Sequence, residues 1–116
     1  MATQWTWIIG VVFTVIGIWG YLSAPALGVF AVDGAHNFAH LLTGIMSILA
    51  ALGGEQYAKT FLKVLGVFYA VMFTLGLVGG GKILGTVTTN GADNLLHLVT
   101  GAAALYGGFT KGKRLI

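Results

Sequence analysis

Three histidines and one carboxylate carry most of the chemistry open to this chain. His36 and His40 stand four residues apart, and so do Asp93 and His97. Residues four apart on a helix point the same way, so each pair can aim at one centre. Three imidazoles and a carboxylate form a ligand set for zinc or iron. Asn37 and Asn94 stand beside them as groups able to orient the rings. A second reading uses only His40 and His97, as axial ligands to a haem held between two helices. The many glycines favour it, but a macrocycle needs wider clearings and apolar walls. A third reading is a proton or small-solute pathway, since imidazole changes charge near neutral pH. Only Thr43, Ser47 and Thr100 would continue such a path, too little for a full channel.

The reading placed first is structural. At about 100° per residue, His36, His40, Thr43 and Ser47 share one stripe, with Asn37 and Gly44 at its edge. Asp93, His97, Thr100 and Ala104 form the matching stripe, with Asn94 and Gly101 beside it. The two faces would clasp one helix to another, Asn and His bonding across while Gly44 and Gly101 let the backbones close in. The same motif, near the start of its helices, could also act as an interfacial cap. A clasp needs no cofactor; zinc, iron and haem stay open beside it. Conventional catalysis has thin support: there is no Ser-His-Asp arrangement with a nucleophile elbow and no carboxylate pair. Gly79-Gly80-Gly81-Lys82 lacks the Ser/Thr, strand and spacing of a phosphate loop. It reads as a flexible exit from a helix. Whether the protein is an enzyme stays open, with a non-catalytic role first.

The elements that must position these residues are apolar. Of 116 residues, 57% are hydrophobic and 8% charged, with 19 Gly and 1 Pro. A soluble domain carries roughly 25% charged residues. This chain has too few to coat a surface in water, which argues against a nucleic-acid binder, a disordered tail or an ordinary soluble enzyme. Cysteine is absent, so there is no disulfide framework or thiolate site. Four apolar runs, residues 5–22, 35–52, 59–79 and 92–109, are each near the roughly 20 residues that cross hydrocarbon as a helix. The first run lacks the preceding Lys or Arg of a signal peptide and is read as a retained span. The fold class is therefore all-α, a transmembrane four-helix bundle in one integral domain over residues 1–116.

Charge placement orients it. Lys59 and Lys63 follow the 2–3 link, and Lys111, Lys113 and Arg114 follow the fourth run; Lys82 alone lies in the 3–4 link. By the positive-inside rule, both termini are cytoplasmic in a multi-pass protein of the cell membrane. Trp5, Trp7, Trp19 and Tyr21 suit interfacial positions. The bilayer is the expected partner and a homo-oligomer is open; nucleic acid is not expected. Glu55 reads as a solvated link residue near Lys59.

An internal repeat organises the chain. LGVFAVDGAHNFAHLLTG (27–44) aligns with LGTVTTNGADNLLHLVTG (84–101) at an offset of 57, and GVVFTVIGIWG (10–20) weakly matches GVFYAVMFTLG (66–76) at 56. The unit is a helix hairpin, repeated over about 5–52 and 59–110, with a pseudo-two-fold axis along the membrane normal. His36 has Asp93 as its repeat partner, so the four-ligand set is asymmetric. Gly66/Ala70/Thr74 and Ala103/Gly107 read as packing faces. Asp33 and Asn90, each before Gly, read as helix N-caps. The β-branched links 29–32 and 86–89 could pair with one another as an antiparallel ribbon.

HNFAHLLTGIMSILAAL (36–52), YAKTFLKVLGVFYAVMFTLGLVG (57–79) and DNLLHLVTGAAALYGG (93–108) together resemble the small bacterial membrane proteins grouped as domain-of-unknown-function family 4383. The likeness covers roughly residues 8–109, and D-N-x-x-H-L-x-x-G in the last span is its most specific part. Asn37, His40, Gly44, Asp93, Asn94, His97 and Gly101 match the motif; His36 fits it less well. The resemblance implies a four-span bacterial membrane protein and no established activity.

Overall fold

Helices occupy all four apolar runs: α1 (Ala2–Leu22), α2 (Gly34–Leu52), α3 (Glu55–Val78) and α4 (Gly91–Phe109). The structure, a computed structural model, describes residues 1–26 and 28–110. The cationic markers Lys111, Lys113 and Arg114 lie outside the described residues, as does Leu27 at the head of the first aligned segment.

Two antiparallel hairpins, α1–α2 and α3–α4, pack side by side as a four-helix bundle. Small residues set the spacing within each. A methyl group on Gly44 would meet the Thr14 side chain and the Gly10 carbonyl oxygen (2.9 Å), and one on Gly17 would meet the Leu41 backbone nitrogen (2.8 Å). In the second hairpin, Gly101 faces the Ala70 nitrogen (3.3 Å) and the Gly66 carbonyl oxygen (3.5 Å). The glycines thus join each helix to its hairpin partner. This corrects the expectation that Gly44 and Gly101 bring α2 and α4 together. Those helices lie diagonally opposed, with no Cα pair within 8 Å. The glycine faces are used up inside the hairpins, where short links already enforce contact.

The cap expectations hold. Asp33 accepts from the His36 N–H (2.9 Å), and Asn90 and Asp93 form a reciprocal capping box. Glu55 is reassigned: α3 begins there, after Gly54 at φ 101°. Its carboxylate accepts from the Ala2 and Thr3 backbone N–H groups (2.9 and 3.1 Å) and from the Met1 amino group (3.1 Å). α1 has no side-chain cap of its own, so its free N–H groups and positive dipole end draw in the acid.

The links also differ from the expected ribbon. β1 (Lys82–Ile83) and β2 (Val87–Thr88) pair antiparallel within the 3–4 link, while the 1–2 link makes one bridge, Ala26 to Phe30. Leu84 and Gly85 both have positive φ (52° and 72°), folding the second link back on itself, and the Thr86 N–H donates to Ile83.

At the end where α1 and α3 begin, the core is apolar: Ala2, Ile9, Ala58, Leu62, Leu65 and Ala104. Towards the link hairpin it becomes polar. Outside, large apolar side chains face outward, among them Leu22 (82% exposed), Val64 (67%) and Leu49 (60%). α1, α2 and α3 are long and apolar enough to cross a membrane.

Candidate functional site

Helix periodicity turns the two polar stripes inward. On α2, His36, Asn37, His40, Thr43, Gly44 and Ser47 are buried; on α4, Asp93, His97, Thr100, Gly101 and Ala104 are. Diagonal helices can still bring long side chains together on the axis. The His36 and His40 ring centroids are 4.2 Å apart, and they lie 5.7 and 6.2 Å from that of His97. One nitrogen from each ring falls within 4.8 Å of the others.

Repeat-related aromatics floor this cluster. Phe13 and Tyr69, equivalent at the offset of 56, touch each other at 5.3 Å, and each lies 5.3 Å from its own hairpin's histidine, His40 or His97. The Tyr69 hydroxyl pairs with Thr43 Oγ1 across the two repeats (2.8 Å).

His36 breaks the symmetry, and the link hairpin fixes it. Its Nδ1 lies 2.7 Å from the Thr88 carbonyl oxygen. A carbonyl only accepts, so Nδ1 carries the proton, and in the neutral ring Nε2 keeps the lone pair. The Thr88 N–H donates to Asp33 Oδ2 (2.9 Å), while Asp33 Oδ1 caps α2. Burial opposes ionisation of Asp33, but the N–H groups of Thr88 and His36 outweigh it and hold the carboxyl below the usual range. The Thr88 peptide is thus gripped on both sides by the first turn of α2. Asn90 Nδ2 adds a bond to the Val29 carbonyl oxygen (2.9 Å). Sequence reasoning missed Thr88, Phe13 and Tyr69 as parts of the site. The repeat alignment does pair Phe13 with Tyr69, but nothing local marks Thr88.

His36 Nε2, both ring nitrogens of His40 and Nδ1 of His97 are buried without a hydrogen-bond partner among the described residues. Asp93 Oδ1 is likewise buried without a partner among the described residues, but Asp93 is not one of the three residues whose ligand atoms converge. Its Oδ2 turns back to the Asn90 N–H (3.0 Å), as the third residue of a capping box does. Asn37 and Asn94 do not reach across the axis: their Oδ1 atoms lie against Gly20 and Gly76 of their own hairpins. Thr100 is buried below the cluster, and Ser47 bonds back to the Thr43 carbonyl oxygen (2.7 Å). A cavity of about 200 Å³ opens beside the three imidazoles, walled by Ala39, Phe68, Met72, Ile83, Leu84 and Val87.

The model of a family described as a domain of unknown function (DUF4383) matches residues 3–110. The chain belongs to this family. No curated protein and no solved structure matches it. In this DUF4383 protein the match takes in both hairpins, the link that holds Thr88 and all three histidines. The family description assigns no activity, so the chemistry of the DUF4383 site rests on its geometry.

Proposed function

We propose that the protein is a four-span membrane protein that holds a divalent transition-metal ion between His36, His40 and His97. One observation carries this reading: three buried imidazoles converge from two diagonal helices with nitrogens that no described residue satisfies. A purely structural clasp should pair these atoms, because each buried unsatisfied polar group costs about 1–3 kcal/mol. A metal ion meets that need. Zinc–nitrogen bonds of about 2.0–2.1 Å require the three nitrogens to draw closer than the 4.8 Å within which they now lie. The bond from His36 Nδ1 to a backbone carbonyl is the outer contact that orients metal-binding imidazoles. Small-molecule and cofactor sites run to about 300–1,000 Å³, so a 200 Å³ cavity suits a bare ion better than a haem.

Purified protein in detergent should take up one equivalent of Zn2+ or Co2+, read by elemental analysis. His36→Ala, His40→Ala and His97→Ala should each lose it, and Asp93→Asn should keep it. A folded wild-type protein that binds no metal would sink the proposal. The outward face of α4 supports the fourth span: Leu95, Val99, Tyr106 and Phe109 are exposed apolar residues. Lys59 and Lys63 mark the cytoplasmic end by charge.

A further inference from the structure

The cavity and the histidine cluster share a wall. His36, His40 and His97 all line the 200 Å³ space, and every other described side chain on it is uncharged, among them Ala39, Phe68, Met72, Ile83, Leu84 and Val87. An ion held by three imidazoles at that wall has room on one side only. Away from the cavity Phe13 packs on His40, while Tyr69, which also lines the cavity, packs on His97 and bonds to Thr43. The carboxylate expected as a fourth ligand, Asp93, spends Oδ2 on its helix cap and is not part of the converging group of ligand atoms. Structural zinc sites use four protein ligands, whereas reactive ones use three and leave a position for an exogenous molecule.

We infer that the metal centre is an open one, with a coordination position facing the cavity that takes a small neutral or monoanionic ligand. This rests on the metal reading above and adds the ligand class. The volume limits the guest to a few heavy atoms. The walls select its polarity: the bound ion is the one charge on offer among the described residues, so the phosphate oxygens it does not contact would lose hydration against apolar walls without compensation. A diatomic molecule, azide or cyanide meets both limits. Access runs past Leu84 at the hairpin tip, which lines the cavity and is 75% exposed.

The test uses the full-length protein in detergent loaded with Co2+, titrated with azide and followed by the cobalt visible bands. A saturable spectral change is expected, with no response to phosphate. Ala39→Phe, which projects a ring into the cavity, should keep stoichiometric cobalt and weaken azide binding by about tenfold or more. Retained cobalt in that variant doubles as its folding control. Should Ala39→Phe fail to fold, Leu84→Trp at the rim offers a second obstruction judged by the same criteria. Cobalt bands that ignore azide in the wild-type protein would mean a closed site, overturning the inference while leaving the metal proposal standing. A wild-type protein that never acquires cobalt bands removes both.

Discussion

Glycines at equivalent places in the two hairpins are not under equal constraint. A side chain on Gly44 would press into the α1 backbone, at Thr14 nitrogen (2.5 Å) and Gly10 oxygen (2.9 Å), where nothing can rotate away. Gly101, its repeat partner, would meet its neighbours at 3.3 Å and beyond. Gly44→Ala should therefore destabilise the protein by about 1–3 kcal/mol through overpacking. Gly101→Ala should be near neutral, helped by alanine's better helix propensity. Thermal unfolding of the two variants in one detergent compares them, and equal losses would contradict this asymmetry. At the same scale the histidines divide by role. His40 and His97 follow the repeat, while His36 is held by one bond to the Thr88 carbonyl. Sequence spacing placed all three on buried faces, but could not tell that Asp93, with the same spacing, would turn back to its own helix end.

Among the elements, the β1–β2 hairpin is tied to the bundle by few bonds among the described residues, and Asp33 makes one of them while also capping α2. Asp33→Ala removes the α2 cap and the Thr88 anchor together. A loss of about 1–2 kcal/mol is expected from the cap alone. Hydrogen exchange should accelerate at the Thr88 amide, and unchanged protection there would show the hairpin held by other means. Asp33→Asn, a good N-cap, should restore most of the helix stability. At the other end of the bundle, Glu55→Ala leaves the first N–H groups of α1 without their acceptor. Exchange should rise at Ala2 and Thr3 while the amides of α4 stay protected. The carboxylate's role was hidden in the sequence because its partners lie more than fifty positions away.

For the whole molecule, duplication explains the architecture and its departure from symmetry explains the site. The apolar exterior extends over all four helices, so single cysteines placed in this cysteine-free chain can map its topology. Cysteines at Gln56 and Leu84 should be labelled from opposite faces of the membrane, Gln56 from the cytoplasm. Labelling of both from one side would contradict the proposed spans. The four helices and their pairing as hairpins were legible from the apolar runs and the offset repeat. The ribbon across the two links was not the outcome, because two successive positive-φ residues, Leu84 and Gly85, let the second link pair with itself.

Composition and periodicity alone determined that this chain forms apolar helices and which face of each turns inward. Those properties depend on neighbours within a few residues and on a local 3.6-residue geometry. Only the tertiary structure decided which inward faces meet. The glycines went to the hairpin contacts, leaving α2 and α4 diagonal, far enough apart for three imidazoles to share the axis. It also brought the Thr88 carbonyl oxygen to His36, a contact between residues 52 positions apart. Such contacts arise from packing the whole bundle at once, and local sequence carries no record of them.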